Sequence, residues 1–314
     1  MYEAIVRWAP THELILSLGV YLNRKGYKLT DLGAPWASRV EEQLTPAFAQ
    51  RLEKGIGVDG SLLHLLVEQH GGGPDADTWL QWVAAMPPGE LYERLAPCRL
   101  EAEPPLPSDM KALRDEVVEV LGAWNQQYFT DLEPVVFDSL AREAVARQAE
   151  AATLSPQALV EAATNGIVME PIPELERVVL IPGYHSRPVN HLLRFKGTAY
   201  FIYGYDEPTA AGEMPVRITR VLKALADDSR VRILRYVSQE SRSFMEIKAH
   251  TGLALSTVHH HMVTLRAAGL VRIHETTPYF GNPGQGNARY SFRPAALQGL
   301  GERIIESLRG GALS

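Results

Sequence analysis

Over the first two-thirds of the chain apolar residues recur at three- and four-residue spacing, the mark of one-sided helices. The spacing predicts helices over His12–Arg24, Ser38–Lys54, Ser61–Gln69, Asp77–Met86, Ser108–Tyr128 and Glu133–Ala152. In Ser108–Tyr128, Leu113, Val117, Val120, Leu121 and Trp124 share one face. Gly71-Gly72-Gly73-Pro74, Pro87-Pro88-Gly89 and Pro104-Pro105-Leu106-Pro107 mark turns between these stretches. Ser155-Pro156 reads as a capping serine followed by a first-turn proline, opening a short helix to Ala163. The period then changes. Arg177–Ile181, His191–Phe195 and Ala199–Tyr205 are punctuated by Gly183, Pro188 and Gly197, and a small antiparallel sheet is expected there. Pro208, Ala210, Ala211 and Gly212 mark a linker.

After Met214 the pattern is denser. Ile218, Val221, Leu222 and Leu225 form a helical stripe, and Asp227-Asp228-Ser229 offers caps for a second helix, Arg230–Val237. A third helix, Ser243–His250, ends at Thr251-Gly252, where glycine permits the tight turn. A fourth, from about Leu255 to Ala268, carries Val258, Met262 and Leu265 on one side and stops at Gly269. Two strand-like runs, Leu270–Glu275 and Ala288–Phe292, flank the Pro/Gly-rich loop Thr276–Asn287. A last helix, Pro294–Leu308, aligns Leu297, Leu300, Ile304 and Leu308. The order helix, helix, helix–turn–helix, hairpin, helix is the layout of a winged helix-turn-helix, whose second turn-flanking helix fits the major groove. The expected fold class is therefore α+β, mainly α. It comprises a helical region over 1–170, a small antiparallel β segment over 171–207, a linker over 208–214 and a winged helix-turn-helix over 215–314.

With Val258, Met262 and Leu265 anchoring the fourth helix, Ser256, Thr257, His259, His260 and Thr264 face outward as candidates for base edges or phosphates. Arg272, His274 and Arg289 flank the hairpin loop and are expected near the neighbouring backbone. Charge agrees. From Met214 onward lie 14 of the 31 Lys and Arg but 7 of the 37 Asp and Glu, so this stretch carries +7, the remainder −13, and the whole −6. An acidic body joined to a basic end suggests a polyanionic partner.

Here the sequence resembles a known family, the ArsR-like bacterial transcription regulators. The resemblance rests on LKALADDSRVRIL (Leu222–Leu234), GLALSTVHHHMVTLRAAGLV (Gly252–Val271) and ARYSF (Ala288–Phe292), over roughly the last hundred residues. Ser256, Thr257, Val258, His261 and Leu265 match the family pattern, while Ala254 and Leu255 depart from its polar cap and glutamine. The resemblance implies a dimer that binds an imperfect palindrome in promoter DNA, usually as a repressor. Its dimer interface would use Ile218, Val221, Leu222 and Leu225 with Leu297, Leu300, Ile304 and Leu308. The family's metal sensors carry Cys-x-Cys on the third helix or a His/Asp cluster on the last. SFMEIKAH and PAALQGLGERIIESL have neither, so no metal and no cofactor are expected. More broadly, the whole chain resembles long ArsR-like regulators whose helical N-terminal region has no assigned role.

Length and composition narrow the remainder. A chain of 314 residues implies two or three domains. The single cysteine, Cys98, excludes a disulfide framework and has no Cys/His catalytic signature around it. The start lacks a signal pattern and no apolar run is long enough for a membrane span, so a cytoplasmic location without membrane partners is expected. Gly55-Ile56-Gly57-Val58-Asp59-Gly60 fits G-x-G-x-x-G, but the preceding AFAQRLEK is helical and charged, which makes it an inter-helix loop. His259-His260-His261 cannot converge on one ion, since successive helical residues point about 100° apart. His185 and His191 with Asp206 would make a hydrolytic or metal cluster, but an ordinary strand-and-loop placement is the expectation for them. Trp8, Trp36, Trp79, Trp82, Trp124 and Tyr128 read as core or as the lining of an effector pocket. The expected partners are double-stranded promoter DNA, a second copy of the chain and an unidentified small-molecule effector acting through the N-terminal region. An enzyme over residues 1–205, or an N-terminal protein-interaction module, stands as the alternative.

Overall fold

The computed structural model describes residues 2–24, 26–55, 57, 60–100, 104–206, 213–275 and 288–309. In chain order these form β1 (Glu3–Val6), α1 (Pro10–Leu22), α2 (Gly33–Gln43), α3 (Pro46–Glu53), α4 (Gly60–His70), α5 (Ala76–Ala85), α6 (Pro88–Leu95), α7 (Met110–Gln127) and α8 (Pro134–Ala151). There follow α9 (Pro156–Ala163), β2 (Ile167–Met169), β3 (Arg177–Gly183), β4 (His191–Phe195) and β5 (Thr198–Gly204). The remainder forms α10 (Val216–Leu225), α11 (Asp228–Gln239), β6 (Arg242–Ser243), α12 (Phe244–Thr251), α13 (Leu255–Ala267), β7 (Val271–Glu275), β8 (Arg289–Phe292) and α14 (Leu300–Leu308).

Local chemistry sets many helix starts. Thr45, Asp75, Asp109, Ser155 and Asp227 each accept a backbone N–H of the first turn they precede. Ser243 and Glu246 close a reciprocal capping box at α12. The stretch expected as one helix over 38–54 is broken into α2 and α3. Pro46 holds the preceding Thr45 extended (ψ 144°), and the Thr45 side chain then caps α3. The expected last helix likewise shortens to α14, because Pro294–Ala296 forms a 3-10 turn and Gly299 stands at φ 64°.

The chain divides into two units, one of Ile5–Ala149 with Arg177–Tyr205, the other of Met1–Ala4, Glu150–Glu176 and Asp206–Ser314. In the first, the helical unit, α1 is buried all round, with Leu14, Ile15, Leu16 and Leu18 alongside Thr11, His12, Glu13 and Ser17. A helix buried on every side lies at the centre of a core, and α4, α5 and α7 pack on it. The sheet of this unit is mixed. β4 and β5 are antiparallel, as expected, but β3 runs parallel to β5, from Arg177↔Thr198 to Gly183↔Gly204. Residues 184–190 carry the chain from β3 to the far side of β5, a strand order that alternation along the sequence does not encode.

In the second, the winged unit, α10 to α13 enclose Ile218, Val221, Ile233, Leu234, Val237, Phe244, Ile247, Val258, Met262 and Leu265. β7 and β8 form the expected hairpin pair, and the two-residue β6, which the sequence pattern does not predict, adds to β8 antiparallel. β2 adds a fourth strand, parallel to β7, with Ile167↔Ile273, Val168↔His274 and Met169↔Glu275. The helix before it, α9, buries Leu159, Val160 and Ala163, and the Tyr2 hydroxyl donates to Met169 O at 3.1 Å. Residues 150–176 thus share a unit with the helix-turn-helix rather than with the helices that precede them, unlike the expected boundaries at 170 and 207. A three-residue strand whose partner lies more than a hundred positions away leaves no periodic signal of its own. Among the described residues no helix is long and apolar enough to cross a membrane.

Candidate nucleic-acid interface

α12 and α13 meet at Gly252, whose φ of 69° turns the chain between them. Along α13 the buried side is Val258, His261, Met262 and Leu265, with Val258 and Leu265 at 0% exposure. The other side is open. Ser256, Thr257 and His260 are exposed, while His259 and Thr264 are half-buried, the Thr264 hydroxyl donating to His260 O at 3.0 Å. One helix therefore presents hydroxyls and an imidazole outward while its opposite face is fixed in the core, the arrangement needed to carry donors and acceptors into a groove. Burial pushes the His261 imidazole below its usual range, against the opposing pull of Asp227. The three consecutive histidines do not converge.

The wing strand is arranged otherwise. Arg272 Nε donates to Glu161 Oε1 at 2.7 Å, and the same carboxylate receives Arg293 Nε at 3.2 Å. His274 lies between Glu170 (3.1 Å) and the Ser291 hydroxyl (2.8 Å). Arg272 and His274, expected beside DNA, are thus held by carboxylates flanking β2. Their side of β7 is the one on which α9 and the end of β2 supply acid, and nothing in the local sequence reports that. Arg289 remains exposed, bonded to Ser241 and 3.5 Å from Glu246. The loop Thr276–Asn287 lies outside the described residues, as does most of the expected linker over 208–214. The charge pattern changes too. Glu150, Glu161, Glu170, Glu174 and Glu176, with no Lys or Arg among residues 150–176, share the unit with the basic C-terminal stretch. Basicity is therefore a property of that stretch and not of the unit as a whole.

Of the residues expected at a dimer interface, Ile218 and Val221 are buried within their own unit, at 4% and 2% exposure. Leu225, Leu297, Leu300 and Ile304 are half-buried, whereas Leu222 and Leu308 are exposed together with Val216 and Ile305.

The helical unit holds two buried polar groups. Glu13 accepts the backbone N–H groups of Tyr184 and His185, and its Oε1 lies 2.5 Å from His185 Nδ1. His185 Nε2 is 2.6 Å from the Tyr128 hydroxyl, which itself accepts Trp36 Nε1–H at 2.8 Å. Each polar side-chain atom of this row thus has a partner. Nearby in sequence, His12 bridges His64 (3.1 Å) and Glu68 (3.2 Å). Asp206 is held by Arg220 of its own unit at 2.7 and 2.8 Å. Trp36, Trp79, Trp124 and Tyr128 are core residues. A cleft of about 550 Å³ opens over Tyr21, Tyr27, Ala37 and Leu52, with Arg24 and Glu41 also lining it. Tyr21 stacks at a tilt on Trp124, 5.2 Å between ring centres. Gly55 and Gly57 fall between α3 and α4 and Gly60 opens α4, with Ile56, Val58 and Asp59 outside the described residues. Cys98 is half-buried, and burial pushes its thiol up. Among the described residues no three His, Cys, Asp or Glu side chains gather as a metal site.

A core of helices around a helix–turn–helix, with β7 and β8 as an antiparallel pair behind it, defines a winged helix-turn-helix. Residues 227–272 match the bacterial regulatory protein, arsR family. The chain accordingly carries an ArsR-like helix-turn-helix, the module of DNA-binding transcriptional regulators. Among solved structures it is similar to a possible transcriptional regulatory protein (fragment 1-100) from Mycobacterium bovis. That likeness is 24% in identity, with 28% of this chain and 88% of that chain covered and a TM-score of 0.22. No curated protein matches the chain.

Proposed function

We propose that the protein is a homodimeric transcriptional repressor that reads promoter DNA through α13 and is modulated, without catalysis, through its helical unit. The observation that carries the reading is the exposed row Ser256, Thr257 and His260 on a helix whose far side is locked by Val258 and Leu265. His259, Thr264 and Arg289 are assigned the flanking contacts. Arg272 and His274 are assigned to hold the wing strand in place. Exposed Leu222 and Leu308 supply apolar surface for pairing, and a dimer would set two α13 helices about 34 Å apart for successive major grooves.

The cleft over Tyr21 supports a small-molecule effector, since its wall leads through Tyr21 to the aromatic core. An effector shifts operator affinity only by its differential affinity for the two arrangements of the reading heads. The row Glu13, His185, Tyr128 and Trp36 and the row His64, His12 and Glu68 each pair internally, and none of these residues lines that cleft, which favours modulation over chemistry. The reading is tested by titrating full-length protein against fragments of its own promoter across a salt series. Affinity should fall linearly on a log–log plot with salt and exceed that for unrelated duplex. Binding indifferent to both salt and sequence would overturn it.

A further inference from the structure

Leu255 is the first residue of α13 and is 54% exposed. By helical phase it lies about 60° from Val258, on the flank of the buried stripe. Its exposure comes from its place in the first turn, where side chains lean toward the helix N-terminus and so project past the end of the rod. The preceding Ala254 caps nothing with its side chain. The entry end of the helix thus carries a bare leucine immediately before the exposed hydroxyls of Ser256 and Thr257. N-terminal residues of a reading helix are the ones that reach base edges. A leucine there can bond to no phosphate and to no donor or acceptor. The apolar group that an unmodified base pair offers in the major groove is the 5-methyl of thymine.

We infer that Leu255 is a specificity-determining residue that packs on a thymine methyl in each half-site. The inference rests on the DNA-reading role of α13 and adds to it a base and an atom. Its energetic source is the burial of one methyl against a side chain that otherwise faces water.

The experiment uses full-length protein and the duplex it selects from a random-sequence pool. Each thymine of that duplex is replaced singly by deoxyuridine, which removes the methyl and leaves pairing unchanged. One thymine per half-site should lose about fourfold in affinity on demethylation, the worth of one buried methyl group. The loss should vanish in Leu255→Ala. In Leu255→Gln, selection should change the preferred base at that position alone, toward an adenine read by the amide. Circular dichroism checks that both variants keep their helices. Demethylation without effect at every thymine, or an equal effect in Leu255→Ala, overturns the inference while leaving the DNA-reading role standing. An unchanged duplex affinity in Leu255→Ala would also overturn it and would assign the exposed leucine to a protein partner. Failure to select any duplex overturns the DNA-reading role itself, and this inference with it.

Discussion

Asn165 and Gly269 occupy adjoining space so tightly that a Cβ built on Gly269 would overlap the Asn165 side-chain amide. Both backbones are left-handed, at φ 57° and 66°. Asn165 lies just past the end of α9 and its Oδ1 accepts Arg293 Nη1 at 2.9 Å, while Gly269 lies just past the end of α13. Gly269→Ala meets two costs, a disfavoured backbone of roughly 1 kcal/mol and displacement of the Asn165 amide. The winged unit should melt at a clearly lower temperature in calorimetry. Gly252→Ala, at φ 69° but with open space around it, should cost only the backbone part. Equal losses in the two variants would refute a tight fit between Asn165 and Gly269.

The same junction sets where the chain can be cut. A fragment over 208–314 lacks β2 and α9 and so exposes the edge of β7 with Ile273 and Val271 beside it. A fragment over 150–314 retains both. The longer fragment should show cooperative thermal unfolding, and the shorter one should aggregate or melt without a cooperative transition. Cooperative unfolding of the shorter fragment would show that β2 is dispensable.

Glu161 pairs with both Arg272 and Arg293, and Arg293 is 7% exposed. Removing Glu161 leaves the Arg293 guanidinium to the neutral acceptors Asn165 Oδ1 and Gly269 O. Glu161→Ala should therefore destabilise the winged unit by about 2 kcal/mol. Arg272→Ala, which leaves Arg293 its partner, should cost less. Hydrogen exchange of peptides covering β2 and β7 reads the effect directly, with faster exchange expected in Glu161→Ala. Unchanged protection there would show that hydrophobic packing alone seats β2.

Much of the reading helix was legible in the sequence, because an amphipathic stripe bounded by glycines is a local pattern. Asp227, Ser155 and Gly252 cap and turn where their residue types predict. The addition of β2 was not legible, since Ile167–Met169 is too short for a periodic signal and its partner is distant. The assignment of Arg272 and His274 changed for the same reason. Their local sequence marks them as basic and strand-borne, but the carboxylates that hold them come from the unseen element. The parallel pairing of β3 with β5 depends on strand order, which alternation of side chains does not carry.

Burial holds the His64 imidazole well below its usual range, reinforced by His12 and His191. A neutral folded-state His64 contrasts with an unfolded chain whose histidine takes up a proton near pH 6.5. Stability is then whole above that pH and declines as pH falls toward the depressed folded-state value. All five tryptophans lie in the helical unit, so their fluorescence follows its unfolding. Its melting temperature should fall between pH 7.5 and 5, and should fall less in His64→Gln. His191, also lowered by burial, leaves a residual slope. Equal slopes in wild type and variant would show that His64 does not couple to folding.

α14 is the place where a second copy is expected to bind. Its one buried residue is Ser307, whose hydroxyl donates to Glu213 O at 3.1 Å, while Leu308 is 74% exposed and Ile305 49%. Val216 and Leu222 on α10 are likewise open, although Ile218 and Val221 on the same helix are consumed by the core. An amphipathic helix with its apolar side in water calls for a cover. A charge at the centre of that surface should separate the copies without disturbing either core. Leu308→Glu and Leu222→Glu should sediment at the mass of one chain where the wild type sediments at two. Far-ultraviolet circular dichroism should remain unchanged. Half-site affinity should persist in these variants while binding to the full operator weakens, because the second reading helix is no longer tethered. A wild-type protein that sediments as one chain, or variants that remain paired, would remove α10 and α14 from the interface.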